Sequence, residues 1–507
     1  MRKIMSHDLG TTGNKATLFS EDGQMQKSVV CSYPVRFFND NWAEQDPNDW
    51  WKAFCDASKQ LLRDEDPSSV KVISFSGQMM GCVCVDQNGN ALRDAIIWAD
   101  MRAADEELFL SGRIDPEKVY RITGHKLSRS YSLEKLMWIK NNEPDIYART
   151  HKLLNAKDYI VSRLTGGFYS DYSDASGTNA LDLIKGGWSD EIIEAAGLAG
   201  ELFPELLPST SVVGEVSKKS SEECGLHPGT LIVLGGGDGS CASVGAGSIS
   251  EGVTYNCLGS SSWISTVSKE PFFDSEMRTV TWAHTVPDLF IPSGTMQTAG
   301  AAFAWAKDRL GQHETAIAKE RGVSPYELIS EQIQSSEPGA NALLFLPYLL
   351  GERCPRWNSN ARASFVGLKM EHTNGDMFRS VVEGVAMNMR VILQILRNAV
   401  EINEMILVGG LAKGNVEQQI FADIYDMAVR CPQHLEEATS IGAAVIAGVG
   451  AEILPDFESV KFFNRIVDTK APAKKNAEFY DKLFDIFNQT YANLTGIFEQ
   501  LAQLKEK

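Results

Sequence analysis

The first part of the chain alternates short apolar runs with glycine-rich turns. Lys3 to His7 reads as a strand, Gly10-Thr11-Thr12-Gly13 as a turn and Lys15 to Ser20 as a second strand. Asp22-Gly23 is a hairpin signal, since both residues tolerate the positive φ of tight two-residue turns. A third strand follows from about Gln24 to Ser32. From about Pro47 the spacing changes: Trp50, Trp51, Phe54, Ala57, Leu61 and Leu62 keep a helical period. Val70 to Phe75 then returns to an extended apolar run closed by Ser76-Gly77.

The same order recurs near the middle. Gly252 to Leu258 reads as a strand, Gly259-Ser260-Ser261-Ser262 as its turn and Trp263 to Val267 as its return. Phe290 to Ser293 begins a third strand, Ala299 to Leu310 has helical period, and Met405 to Val408 is the next strand, ended by Gly409-Gly410. Glu417 to Val429 is expected to be helical, and Ala477 to about Gln500 forms an amphipathic helix that packs on the second domain. Two copies of one plan predict a duplicated α/β architecture with a cleft between the halves, divided after the Gly235–Gly247 stretch into residues 1–247 and 248–507.

Composition narrows the function classes. At 507 residues, with 43% hydrophobic and 22% charged side chains, the chain has the make-up of a globular protein able to bury a core without disulfides. A formal net charge of −18 argues against nucleic acid and anionic membranes as partners, because both call for a basic face. No apolar stretch approaches the ~20 residues that span a bilayer. Nine cysteines form no metal-ligand spacing; Cys82 and Cys84 alternate as strand residues do, and the expectation is a reduced, cytoplasmic protein.

There is no Gly-Lys dipeptide for a Walker-type loop, no G-x-G-x-x-G, no H-E-x-x-H and no G-x-S-x-G. The chain has instead four strand-end glycine turns: Asp8 to Gly13, Gly235 to Ser240, Gly259 to Ser261, and Gly409-Gly410. Glycines let backbone N–H groups approach a phosphate, and hydroxyls add donors. One such turn is ordinarily just a turn; four over two half-repeats favour a nucleotide in the cleft. Asp8 and Asp238 stand on these turns and can divide two tasks, holding Mg²⁺ near phosphates and accepting a hydroxyl proton. His7, on the strand before Asp8, reads as a packed core histidine.

These residues lie within a chain that resembles the FGGY carbohydrate kinases, most of all their xylulokinase branch. Two signature segments carry the resemblance, Ser130 to Asn142 (SYSLEKLMWIKNN) and Ala363 to Glu383 through Phe365, Gly367, Leu368, Asp376 and Ser380. Trp42 to Trp51, Ile96 to Arg102, Lys157 to Tyr159, Asp171 to Asp182 and Leu346 to Arg353 add to it, so it spans the chain to about residue 450. The resemblance implies two actin-like/ribonuclease-H-like ATPase domains, sugar bound mainly by residues 1–247 and ATP mainly against residues 248–507. It implies Asp238 as catalytic base, Asp8 at the Mg²⁺–phosphate site, and Thr11, Thr12 and Lys15 near the phosphates. Ser260 stands where the family has a phosphate-binding Thr, Gly300 matches a nucleotide-contacting Gly, and Gly409, Gly410 and Asn415 match the adenosine loop. Gln78, Met79, Met80 and Asp238 are implied at the sugar.

Two departures bear on the substrate. Gly77-Gln78-Met79-Met80-Gly81 stands where xylulokinases read G-Q-M-H-G, and Gly239 where they carry an Asn. Losing a buried hydrogen-bonding partner costs about 1–3 kcal/mol, enough to shift preference roughly ten- to a hundredfold. D-Xylulose therefore leads, with L-xylulose, L-ribulose, a deoxyketose or gluconate as alternatives; the Arg-Glu pair of glycerol kinases is absent from Met79–Met80, against glycerol. A chaperone- or filament-type ATPase would lack the two signatures, and a non-catalytic sugar-binding regulator would not need Asp8 and Asp238. Partners are expected to be sugar and ATP, with a homodimer left open. Trp98 and Asp100 are expected as sugar-pocket lining.

Overall fold

The structure, a computed structural model, describes residues 2–504. The first half opens with strands β1 (Lys3–Leu9), β2 (Gly13–Ser20) and β3 (Met25–Ser32), joined as successive hairpins. Helix α1 (Pro47–Leu62) follows, started by the Asp46 side chain accepting from Asn48 N and by Pro47 in the first turn. Its apolar face, including Trp50, Phe54 and Leu61, is buried in the first core. Strand β4 (Val70–Gly77) then lies parallel to β1. Helices α2 (Ser132–Asn142) and α3 (Ala156–Thr165) precede β5 (Val212–Glu215), β6 (Leu231–Val233), the short β7 (Gly236–Gly237) and helix α4 (Asp238–Ala246).

The second half repeats the plan. It holds β8 (Thr254–Leu258), β9 (Ser262–Thr266), β10 (Val280–Ala283), β11 (Phe290–Met296), α5 (Gly300–Leu310), α6 (Asn374–Leu396), β12 (Glu404–Val408), α7 (Asn415–Tyr425), β13 (Ala428–Pro432), α8 (Ala438–Gly450), β14 (Ile466–Lys470) and α9 (Lys474–Gln503). The sheets run β3-β2-β1-β4-β6-β5 and β11-β9-β8-β12-β13-β14, with β7 beside β4 and β10 beyond β11. Direction matches strand for strand: three antiparallel strands, two parallel steps, then an antiparallel edge. Few residues are shared between the copies, so the duplication is legible in periodicity and turn placement rather than in identity.

Two expectations need correction. The helix read from Glu417 to Val429 spans Asn415–Tyr425; Asp426 takes φ 48° and Val429 belongs to β13. The strand beginning at Phe290 is preceded by β10, which pairs with it antiparallel and had no place in the sequence reading. The C-terminal helix α9 does dock on the second core, through Tyr480, Phe484, Phe487 and Phe498.

Helix α8 crosses between the halves. Ile441, Val445 and Ile446 pack with Ile4, Phe19, Val72 and Val233 of the first sheet, together with Cys241 and Val244 of α4. A Cβ on Gly442 would collide with the Cys241 carbonyl, and one on Gly245 with the Ala438 carbonyl. The two helices therefore touch backbone to backbone where only glycine fits.

Candidate active site

Ligands of open α/β sheets bind outside the carboxyl ends of parallel strands, and the predicted turns gather there. In the first sheet Asp8 lies opposite Ser76 across the β1–β4 pairing, and Gly236 pairs with the same Ser76 on the other side. Asp8 and Asp238 are thus separated by one strand. Asp8 accepts hydrogen bonds from Ser76 Oγ (2.9 Å) and Thr439 Oγ1 (2.7 Å), one hydroxyl from each half. Burial raises its pKa above the ordinary carboxylate value.

Asp238 is the first residue of α4 and half-buried. Its Oδ1 accepts from Gly239 N (2.7 Å). Burial, and behind it the charge of Asp8, push its pKa up to about 7. The preceding amide, Gly237 N, donates to Ser173 Oγ (3.0 Å), which donates to Asp171 Oδ2 (2.5 Å). Asp171 is in turn paired with the fully buried Lys157, 2.9 Å away, which also meets Asp158 and Asp174. Sequence reading placed these segments within the resemblance without seeing that they brace the strand end carrying Asp238.

The β1–β2 turn is pinned at both ends. Tyr33 Oη donates to Gly10 O (2.5 Å) and Gln45 Nε2 to Thr11 O (2.8 Å). Thr12 is exposed at its tip. Lys15 Nζ reaches the Glu436 carbonyl (3.3 Å) and Glu437 Oε1 (3.4 Å) just before α8. In the second sheet, β8 and β12 are parallel neighbours, so Gly259 and Gly409 emerge side by side. Gly300 N donates to Gly259 O (2.8 Å), and a Cβ at Gly409 would press on Leu258. Ser260 O accepts from Ala299 N and Ala301 N, while the Ser260 residue itself is exposed at the β8–β9 turn. Gly410 is exposed with Glu436 beside it, and Asn415 is exposed at the start of α7.

An open cavity of about 250 Å³ lies between the halves, bordered by Asp238. Thr11, Met79, Met80 and Trp98 line it from the first half, and Trp263, Trp282, Ser293 and Arg353 are among its lining from the second. Both halves thus build the wall that the resemblance assigned mainly to the first. Met80 sits at φ 62°, a conformation that costs a non-glycine residue about 1–3 kcal/mol. Gln78 is buried away from the cavity lining, its Nε2 donating to Gln45 Oε1 (2.8 Å). Trp98 lines the cavity and donates from Nε1 to Thr11 Oγ1 (2.9 Å). Asp100 does not line it: it is fully buried, paired with Arg102 and accepting from Ala43 N (2.6 Å). His7 is a packed core histidine, 3.1 Å from Asn14 Nδ2, its pKa pushed down to about 3 by burial.

Sequence reasoning missed Thr439 and Trp282, which reach the cleft from a distant helix and an edge strand with no local signal, and Trp263, although it directly follows the Gly259–Ser262 turn. Arg353 was seen only as the end of a family-like segment. It lines the cavity and makes no ion pair among the described residues. Among those residues no helix is long and apolar enough to cross a membrane.

Comparison with known proteins agrees with this geometry. Residues 3–245 match the N-terminal domain of the FGGY family of carbohydrate kinases and residues 254–451 its C-terminal domain. A xylulose kinase of Staphylococcus xylosus is 30% identical over 97% of this chain and 100% of its own length. A gluconokinase of Bacillus subtilis is 29% identical over 98% of this chain and 97% of its own. A ligand-bound xylulose kinase structure from Lactobacillus acidophilus superposes with a TM-score of 0.90 at 26% identity, over 99% of this chain and 100% of that one. Two matched domains in order, on a twice-repeated sheet with a cleft between, make this chain a member of the FGGY family of carbohydrate kinases.

Proposed function

We propose that the protein transfers the γ-phosphoryl group of ATP to a hydroxyl of a ketopentose, with D-xylulose, giving D-xylulose 5-phosphate, as the leading substrate. The observation that carries this reading is Asp238: a carboxyl with a pKa near neutrality, on the cavity wall, one strand from Asp8. A hydroxyl oriented towards Asp238 attacks the γ-phosphorus, the bond to ADP breaks, and the proton passes to the carboxylate late, as largely dissociative phosphoryl transfer allows. A base with a pKa near the working pH suits that role better than an ordinary aspartate. The relatives named xylulose kinase support the sugar.

On this reading residues 1–247 form the sugar-binding domain and residues 248–507 the ATP-binding domain, with α8 reaching back across the cleft. Thr11, Thr12 and Lys15 lie towards the phosphates, as does Ser260. Gly300, Gly409, Gly410 and Asn415 lie towards the nucleoside, and Met79 and Met80 towards the sugar, with Gln78 supporting them from behind. The donor set fits Mg²⁺, which takes few carboxylates and keeps water and phosphate oxygens for the rest: Asp8 would hold it, with Ser76 and Thr439 orienting the carboxylate. When bound, the ion neutralises charge on the triphosphate.

A second reading is favoured by Arg353. A guanidinium on the cavity wall, with no carboxylate partner among the described residues, suits a sugar acid such as gluconate, and gluconokinases are among the relatives. The test is a panel of D-xylulose, L-xylulose, L-ribulose, a 1-deoxyketose and gluconate with ATP and Mg²⁺, scored by kcat/KM. A highest kcat/KM for D-xylulose is expected; a gluconate preference of tenfold or more would establish the second reading, and no stimulation by any of them would end both.

A further inference from the structure

Lys135 lies in the first signature segment, on α2, and its residue is fully buried. Its ammonium has no carboxylate partner among the described residues. It donates instead to three backbone carbonyls: Met80 O at 2.8 Å, Ile97 O at 2.8 Å and Ser130 O at 2.5 Å. An ammonium has three N–H donors, so donors and acceptors match one to one. The acceptors come from three separate stretches of chain, two of which carry cavity-lining residues. Met80 lines it in the left-handed conformation, Ile97 precedes the lining residue Trp98, and Ser130 precedes Tyr131, which faces Arg353.

We propose that Lys135 is a positioning residue for the sugar, its ammonium clamping the Met80, Ile97 and Ser130 carbonyls so that the first half's wall of the cavity keeps one shape. The inference rests on the reading of this cavity as the sugar site. Neutral lysine has two N–H groups and a lone pair, which leaves one carbonyl unmatched and facing that lone pair. Charge on Lys135 is therefore part of the clamp. The groups facing it are Asp100 and Arg102, which pair with each other, Cys82, bridged to Ile96, and Glu134 on its own helix. Burial holds the Lys135 pKa down to about 7 and pushes Cys82 well above and Glu134 up to about 8. The clamp therefore loosens above about pH 7.

The test is Lys135→Met, which keeps the length of the stem and removes the donors. The sugar KM is expected to rise about tenfold or more, the loss associated with buried hydrogen bonds to a charged group, while kcat and the ATP KM change less than about threefold. The alkaline decline in sugar kcat/KM expected of the wild type should be missing from the variant. Equal rises in both KM values, or an alkaline limb that survives, would overturn the proposal. Should the variant not fold, wild-type amide exchange decides. Cys82 N, Ile97 N and Asp100 N are hydrogen-bonded at this wall, and Tyr33 N, bonded to Thr12 O, serves as a control. Protection at the first three should fall between pH 6 and pH 8.5 after correction for intrinsic rates, with Tyr33 unchanged; constant protection at the wall refutes the clamp. Exchange needs no sugar, so a failure of the clamp is distinct from a failure of the sugar-site reading, which the substrate panel on wild type reports.

Discussion

Asp238→Asn separates the chemistry of the site from its stability. The substitution keeps the Oδ1 that accepts from Gly239 N and removes the charge. A general base contributes about 10²–10⁴-fold, so on the proposed role kcat should fall by that factor while ATP binding, measured by calorimetry with a non-hydrolysable analogue, stays within a few-fold of wild type. In the wild type, the acid limb of sugar kcat/KM should lose about tenfold per pH unit below about pH 7.

Stability should move the other way. The folded-state pKa of about 7 lies above the ordinary 3.8, so the folded protein holds a proton on this carboxyl that the unfolded chain has released in between. Its contribution to stability is complete below about pH 3.8 and lost as pH rises through about 7. At about 1.4 kcal/mol per pH unit the rise corresponds to about 4 kcal/mol of penalty on the ionised form; with part of the group open to the cavity, about 2 kcal/mol is the working figure. Asp238→Asn should therefore raise Tm by a few degrees at pH 8, by less than about half as much at pH 5, and leave it unshifted below about pH 3.8, read by calorimetry at each pH. A variant that keeps most of its turnover would remove Asp238 as the base. A variant less stable than wild type at pH 8 would show that burial beside Asp8 does not penalise the ionised carboxylate.

Thr439→Val removes the second hydroxyl on Asp8 at nearly constant volume, and the lost bond to a charged group is worth about 1.5–3 kcal/mol. kcat/KM for ATP should fall about ten- to a hundredfold at saturating sugar; an unchanged value would mean that Ser76 alone orients Asp8. Gly442→Ala places a methyl group against the Cys241 carbonyl at the α4–α8 crossing. Overpacking of this kind costs about 1–3 kcal/mol, to be seen as a lowered urea midpoint, and a midpoint equal to wild type would show that the helices can spread.

Much of the fold was legible because its signals are local. Hairpin strands alternate, α1 carries its own cap and period, and glycines mark the strand ends. The misreadings occur where local signals run together. Met427 to Val429 continues the apolar run of α7, and only the left-handed turn at Asp426 separates helix from strand. Strand β10 is four residues at a sheet edge, satisfied by pairing with β11 alone. At the site, Asp8 and Asp238 announced themselves by standing on glycine turns. Thr439 could not, because the bond it makes joins positions 431 residues apart, and a threonine near the start of an apolar helix looks like ordinary helix sequence. Lys157 and Lys135 were equally opaque, since a buried lysine is recognised by its partners.

The placement of these bonds bears on how the two halves can move. Asp238 is the first residue of α4 and Thr439 the second of α8, the two helices that meet through glycine. A rotation of one half against the other about that crossing displaces nearby groups least and distant ones most. Asp8 is held by a hydroxyl from each half, so such a rotation would move it and Asp238 little. The β8–β9 turn and Trp282 belong to the second half, and Met80 and Trp98 to the first, so the rotation would widen or narrow the space between them. The two carboxylates would thus lie near the pivot and the cavity walls at the moving ends. Such an arrangement would let the cavity open and close without re-forming the Asp8–Asp238 pair. On the proposed reading the net charge of −18 need not repel a triphosphate, because the anion would meet backbone N–H groups at the glycine turns and Lys15.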